Sequence, residues 1–283
     1  MNSRQLDIER LQCQLETQLF GLGNRLVYLP TVDSTNIQAM QLARQGSEEG
    51  VVVLTDSQTA GKGRQGRRWV DIDGLNALSS TILRPFFPPY LLVMIASLAV
   101  VDAVADTCTV HATIKWPNDV LIEERKVAGI LIETSHDRSG QMVAVVGIGA
   151  NVNGHLAEHE AKLSQGDAKL ISNATTLETA CGHVVSRERF IARLLYHLET
   201  SYLLLQQETH EPVAAAYGAS SRLIRERWRD RLSTLGRLIE VHQGDKLLSG
   251  LAEDVNDSGE LLLRRHSGER VSITWGEIGY PTE

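Results

Sequence analysis

Cysteine is scarce in this chain, with three in 283 residues at Cys13, Cys108 and Cys181. They are too few for a disulfide framework and too far apart for a paired-cysteine metal knuckle, so they read as core or surface thiols. Positive charge is also in short supply. Lys and Arg number 28 against 35 Asp and Glu, a net charge of -7, which argues against a molecule held to nucleic acid by its overall field. The opening residues, Met1-Asn2-Ser3-Arg4-Gln5-Leu6-Asp7, lack the apolar stretch of a secretory signal, and no uncharged apolar run reaches membrane-spanning length. A cytoplasmic location is therefore expected, with no membrane partner. Internal repeats and low-complexity linkers are missing. So is any recognisable catalytic triad, Cys/His pair or HExxH helix, and no enzyme nucleophile is indicated. What remains is an ordinary globular composition, 42% hydrophobic, long enough for one large domain with a smaller one attached.

One stretch stands out: Gly61-Lys62-Gly63-Arg64-Gln65-Gly66-Arg67-Arg68-Trp69. Glycine lets backbone approach a ligand where a side chain would collide. Successive amides form an anion-binding concavity that Arg and Lys reinforce, and Trp69 adds a flat face. Taken alone, the run fits a solvated basic hairpin as well as it fits a site for an anion beside a ring.

From Gln5 to Leu19, apolar Ile8, Leu11, Leu15 and Leu19 predict one amphipathic helix, ended by Gly21 and Gly23. Arg25 to Leu29 reads as a strand. Asp33-Ser34-Thr35-Asn36 then offers more helix-capping side chains than one helix needs, before a helix that stops at Gly46. Val51 to Leu54 is a strand leading through Gln58 into the glycine loop, and Ala77 to Leu83 is another. Leu91 to Ala105 is apolar almost all round and predicts a buried helix on a sheet. In Lys115-Trp116-Pro117-Asn118-Asp119, proline disfavours helix and places the polar pair at a strand end. A hairpin through Glu123-Glu124 leads to a strand that opens at Lys126 and runs through Gly129. Met142 to Ile148 continues into Gly147-Ile148-Gly149-Ala150-Asn151, where glycines in a strand suggest a close approach.

Thr175 with Glu178 fits a capping box for a helix running to about Gln206, and Pro212 to Ala219 predicts a short further helix. The charge run from Arg222 to Arg231 reads as an exposed connection. Beyond Trp228, four short strands at Leu238 to Val241, Leu247 to Ala252, Leu261 to Arg264 and Val271 to Trp275 describe a small antiparallel barrel. His155 and His159 lie four apart but have no third ligand at zinc-site spacing, so they read as a solvated pair.

Together, Ser34-Thr35-Asn36, the glycine loop, Lys115 to Asp119, Lys126-Val127-Ala128-Gly129-Ile130-Leu131 and Gly147 to Asn151 resemble the biotin protein ligase family. The family motifs are STN, GRGRxGRxW, KWPND, KxxGIL and GxGxN. They cover about Tyr28 to Asn153 strongly and extend weakly to the C-terminal strands through Trp228 and Gly276-Glu277. The resemblance implies an α+β fold, with a mixed, largely antiparallel catalytic sheet and an SH3-like C-terminal barrel. The expected units are residues 1–24 (N-terminal helix), 25–232 (catalytic domain) and 233–283 (SH3-like domain). It implies an enzyme that uses ATP, with Mg²⁺, to convert biotin to biotinyl-5′-AMP. The acyl group then passes to a lysine of a biotin carboxyl carrier protein domain.

By the same carry-over, the biotin-binding residues are Ser34, Thr35, Asn36, Gln58, Gly61, Lys62, Lys126, Gly129, Gly147 and Gly149. The nucleotide falls to Arg64, Arg67, Trp69, Asn118, Lys126 and Asn151. Arg64, Arg67 and Lys126 are the implied catalytic cations, and Asp119 either accepts a proton from the incoming amine or orients its neighbours. No metal ligands are identified. Two departures from the pattern matter. Lys62 stands where arginine is usual, which keeps the charge but loses the bidentate fork; a leakier or slower adenylate intermediate is expected. Only the Gln5 to Leu19 helix stands where some members carry a winged helix, so operator DNA is not an expected partner. A homodimer is compatible with this reading. The nearest alternative is a lipoate ligase using the same adenylation chemistry, and two others are a nucleic-acid-binding regulator and a biotin-binding module without turnover.

Overall fold

A computed structural model of the chain describes residues 5–137, 140–156, 158, 166, 168, 171–208 and 218–281. A seven-stranded sheet is built between Leu26 and Asn151. Its strands are β1 (Leu26–Val32), β2 (Val52–Gln58), β3 (Asn76–Leu83), β4 (Thr113–Lys115), β5 (Asp119–Ile122), β6 (Arg125–His136) and β7 (Met142–Asn151). Their spatial order is β1-β2-β3-β7-β6-β5-β4. Only β1 and β2 are parallel. Helix α2 (Thr35–Arg44) crosses between them, as parallel neighbours require.

The alternation of β-branched residues explains why both sheet faces are covered. Along β2 and the residue before it, Val52 and Leu54 join the larger core while Val51 and Val53 turn to the smaller one with Ala39 and Ala43 of α2. On β7, Ala144, Val146, Ile148 and Ala150 take the first face, and Val143 and Val145 the second. The larger core is closed by α3 (Tyr90–Thr107), whose apolar surface is buried from Leu91 to Val104 with few breaks. By length and composition α3 could cross a membrane, but 67% of it is buried inside the protein. It packs on α5 (Arg187–Glu208) and α6 (Ala219–Asp230).

Several expectations are corrected. The N-terminal helix is only α1 (Ile8–Gln14), capped by Asp7, and not the whole of Gln5 to Leu19. Beyond it, the amides of Gln18, Leu19 and Phe20 donate to the buried Glu199 carboxylate at 2.6, 2.8 and 2.6 Å, a partner outside the helix. The Thr175 to Gln206 segment is two helices. Short α4 (Leu177–Cys181) is capped by Thr176 rather than Thr175 and stops at Gly182 in the left-handed region (φ 77°). Glu178 accepts from the Gly154 amide at 2.6 Å instead of closing a capping box. Asn118 lies in the turn between β4 and β5, with Asp119 opening β5 opposite Lys115, so the pair begins a strand rather than ending one.

The Arg222 to Arg231 run is not merely an exposed connection. It forms most of α6, whose Ser221, Ile224 and Trp228 are buried, and Trp228 Nε1 donates to Ser97 Oγ on α3 at 3.1 Å. The expected helix from Pro212 to Ala219 lies outside the described residues except at Gly218 and Ala219, where α6 begins, and His159 lies outside them too.

The C-terminal sheet has five antiparallel strands: β8 (Leu238–Gln243), β9 (Lys246–Val255), β10 (Leu261–Arg264), β11 (Arg270–Ile273) and β12 (Glu277–Gly279). The order is β11-β10-β9-β8-β12, so the outermost strands do not pair with each other and no barrel is closed by hydrogen bonds. The expected strand at Val271 to Trp275 ends at Ile273, and β12 was not anticipated.

Candidate active site

Two adjoining cavities open beside β6, β7 and the glycine loop. The first, about 480 Å³ of non-atom space, is lined by Ser34, Thr35, Asn36, Gln58, Lys62 and the glycines Gly129, Gly147 and Gly149, among others. The second, about 1560 Å³ and opening to solvent, is lined by Arg67, Lys115, Asp119, Asn151 and, from the C-terminal sheet, Gly276, Glu277, Ile278 and Tyr280. Gly63, Arg64, Trp69, Asn118 and Lys126 line both.

The loop between them is a narrow hairpin. The Trp69 amide donates to the Gly61 carbonyl at 3.0 Å and the Gly63 amide to the Arg67 carbonyl at 2.7 Å. A 3₁₀ turn over Arg64–Gly66 forms the tip, with Gln65 and Gly66 at positive φ. Glycine is required at position 61 because an added Cβ would lie 2.6 Å from the Trp69 carbonyl oxygen.

This closure lays the Trp69 indole over the glycine pair of β6 and β7, where Gly129 and Gly149 stand opposite each other. A Cβ on Gly149 would come within 2.6 Å of the ring, and one on Gly147 within 2.0 Å of Asn36 Oδ1. These glycines therefore make room first for the chain's own Trp69 and Asn36. They line the cavity at the same time.

The cations converge on the shared wall. Lys126 Nζ is 2.7 Å from Asp119 Oδ1 and 5.5 Å from the Trp69 ring centroid. Arg64 Nη1 donates to Asn118 Oδ1 at 2.8 Å, and Asn118 Nδ2 donates to the Ile130 carbonyl at 2.8 Å. Burial pushes the Arg64 guanidinium below its ordinary pKa, offset in part by Asp119. Lys115 is also pushed down, by burial first and then by Lys126 and Arg67, while Asp119 and Glu124 oppose the shift. Like charges drawn together out of water favour the arrival of an anion.

Arg67 lines only the second cavity and is ion-paired with Glu277 of β12. Asn151 lines the second cavity too, but its amide is already engaged, accepting from Asn76 Nδ2 at 2.9 Å and donating to the Thr175 carbonyl at 3.1 Å. Both site asparagines thus hold protein groups in place. Ser34, at the N-cap of α2, makes no side-chain cap bond. Gln58 Oε1 accepts from the Thr35 amide at 2.9 Å and lies 3.2 Å from its hydroxyl.

Sequence reasoning passed over Ser80, Lys115, Glu133 and Tyr280. The alternation from Gly129 through Leu131 puts Glu133 on the same sheet face, and strand register puts Ser80 and Leu131 on either side of Gly147. That period-two signal was present in the sequence. Tyr280 meets Lys115 of β4, 5.3 Å from its ring centroid, across the two sheets, and Arg237 beside β8 at 3.9 Å, contacts only the tertiary fold creates. Among the described residues no group of three or more His, Cys, Asp or Glu side chains is placed to hold a metal ion.

Comparison with known proteins follows the same lines. Residues 28–153 match the model of the biotin/lipoate A/B protein ligase family, and residues 234–278 that of the biotin protein ligase C terminal domain. The biotin–[acetyl-CoA-carboxylase] ligase of Paracoccus denitrificans is 34% identical over 248 residues, 86% of this chain and 95% of that protein. The bifunctional ligase/repressor BirA of Bacillus subtilis is 30% identical over 87% of this chain and 71% of its own length. The solved biotin protein ligase from Aquifex aeolicus in complex with biotin and ATP superposes with a TM-score of 0.71 at 25% identity, covering 90% of this chain and 97% of that one. With both family models matched in order and a relative 34% identical over 95% of its own length, the chain belongs to the biotin/lipoate A/B protein ligase family, as a biotin protein ligase.

Proposed function

We propose that this ligase joins biotin to ATP as biotinyl-5′-AMP and then passes the acyl group to a lysine amine of a biotin carboxyl carrier protein domain. The observation that carries this reading is the wall common to both cavities, where Arg64, Lys126 and Trp69 stand together. A carboxylate and a triphosphate repel each other, and fixed cations at their meeting point offset that repulsion and the charge that builds on the leaving pyrophosphate. Removing one such well-placed group typically raises the barrier by about 2.7 to 4 kcal/mol.

Each residue has a definite part. Ser34, Thr35 and Gln58 face the ureido ring, whose two donors and one acceptor need matched partners once out of water, with Gly61 and Lys62 supplying backbone and charge at the rim. Trp69 offers its ring to adenine, Arg64 and Lys126 hold carboxylate and α-phosphate, and Arg67 reaches the phosphates when it leaves Glu277. Asn118 holds Arg64 in place, and Asn151 ties β7 to the segment at Thr175. Asp119, already paired with Lys126, orients that ammonium or accepts a proton from the incoming amine. Mg²⁺, if it accompanies ATP, would supply neutralising charge at the triphosphate beside Arg64 and Lys126.

The test is one assay with ATP, Mg²⁺, biotin and a carrier domain. Pyrophosphate release that depends on biotin, followed by a biotinyl adduct on the acceptor lysine by mass spectrometry, is expected. Labelling by lipoate instead, or biotin binding without pyrophosphate release, would overturn it.

A further inference from the structure

The first cavity rests on a chain of polar groups that ends at a carboxylate outside its lining. Glu133 of β6 accepts through Oε2 from Asn36 Nδ2 at 2.8 Å. Asn36 Oδ1 accepts from Ser80 Oγ at 2.6 Å, and Ser80 Oγ is 2.8 Å from Thr35 Oγ1. The other Glu133 oxygen, Oε1, is 3.7 Å from Lys62 Nζ on the glycine hairpin. Ser80 and Asn36 are fully or almost fully buried, while Glu133 is about one third exposed.

A carboxylate only accepts hydrogen bonds, so its presence fixes the sense of every group that follows. The Asn36 amide must turn its nitrogen to Glu133 and its oxygen to Ser80. Ser80, which lies within donating distance of both Asn36 and Thr35, then spends its single hydrogen on Asn36 at the shorter contact and is left to accept from Thr35, whose own hydrogen goes to Ser80 at 2.8 Å in preference to Gln58 Oε1 at 3.2 Å. A Thr35 hydroxyl that donates to Ser80 keeps its lone pairs for a ligand N–H. Gln58, with Oε1 held by the Thr35 amide, is left with Nε2 as a donor for a ligand carbonyl. One acceptor beside one donor is the complement of a urea.

We propose that Glu133 is a positioning residue: through Asn36 and Ser80 it sets the donor and acceptor sense of the ureido subsite, and through Lys62 it ties the glycine hairpin to the same floor. This rests on the reading of the first cavity as the biotin site. It also gives Lys62 a partner that its replacement of the usual arginine did not suggest.

The test uses the full-length enzyme, with biotin affinity by calorimetry and separate steady-state constants for biotin and ATP from pyrophosphate release. Glu133→Ala should raise the biotin Kd and KM at least tenfold and leave the ATP KM within about twofold. Asn36→Asp places two carboxylates face to face and should do the same. The pair Asn36→Asp with Glu133→Gln restores the order of donors and acceptors, because the glutamine can donate to the new aspartate, which still accepts from Ser80. This double variant should return to within about threefold of wild type. An unchanged biotin KM in Glu133→Ala, or a double variant no better than Asn36→Asp alone, would overturn the proposal. Should Glu133→Ala fold poorly, the near-isosteric pair decides alone. Wild type that binds no biotin would instead defeat the ligase reading itself, a separate outcome in the same titration.

Discussion

An alanine at position 149 would put its methyl 2.6 Å from the Trp69 ring, a collision that only a shift of the indole or of β7 can relieve. Overpacking of this kind costs about 1–3 kcal/mol, and because the indole walls both cavities the loss should appear in substrate use as well as stability. Gly149→Ala is expected to lower kcat/KM for ATP by about tenfold or more in a pyrophosphate-release assay. Asp71, two residues beyond Trp69, makes a pH-dependent prediction. Burial raises its carboxyl to about 6, against the hydrogen bonds it accepts from the Gln58 amide and the Ser57 side chain. A folded pKa above the unfolded one means that the native protein binds the extra proton between about pH 4 and 6, so the charged form penalises the fold above that window. Asp71→Asn should therefore stabilise by about 1–2 kcal/mol at pH 8. In thermal melts the advantage should fade as pH falls through 6 and vanish near 4. At this scale the sequence was informative but incomplete. Gly147 and Gly149 announced a close approach without saying that the approaching groups are Asn36 and Trp69.

Helix α5 begins at an ion pair. Arg187 Nη1 is 2.8 Å from Asp56 Oδ1 of β2, each side chain 7% exposed, and the same carboxylate accepts from Tyr28 Oη and from the Leu6 amide at 3.2 Å. Desolvation, then the hydrogen bond to Asp56, pushes the Tyr28 hydroxyl up to about 12, so it stays a donor across the ordinary pH range. Removing one partner of a buried pair leaves the other charge uncompensated, at a cost of about 3–5 kcal/mol. Arg187→Ala should lower the melting free energy by that amount, and Asp56→Asn combined with Arg187→Met should recover part of it. Elements marked by a single strong pattern were legible from sequence: α3 because it is apolar on every side, β2 and β7 because they are short, continuous runs of β-branched and apolar residues. The break at Gly182 was hidden inside a continuing periodic pattern. The length of α1 was overread because its downstream amides are satisfied by Glu199, a residue far away in the chain.

Between the two sheets, the contact that bears on catalysis is the ion pair of Arg67 with Glu277. Both side chains are about half exposed, so the pair adds at most about 1 kcal/mol to stability. Its carboxylate also stands in the wall of the cavity assigned to a polyanion. Glu277→Ala should accordingly leave the melting temperature nearly unchanged and lower the KM for ATP several-fold at low salt. The gain should shrink as ionic strength rises, because screening at about 10 Å and 0.1 M removes the repulsion that the substitution relieved; a KM that rises instead would show that the pair serves to hold the hairpin. The C-terminal strands were readable in the sequence, and Gly276-Glu277 as their point of approach to the site, but the groups they meet were not, since Glu277 and Tyr280 reach the hairpin and Lys115 only in three dimensions. The wall of five residues common to both cavities carries a last consequence. Groups in that wall would meet both ligands, so any coupling between the two affinities runs both ways. Whatever factor biotin lends to ATP, ATP must return to biotin in equal measure.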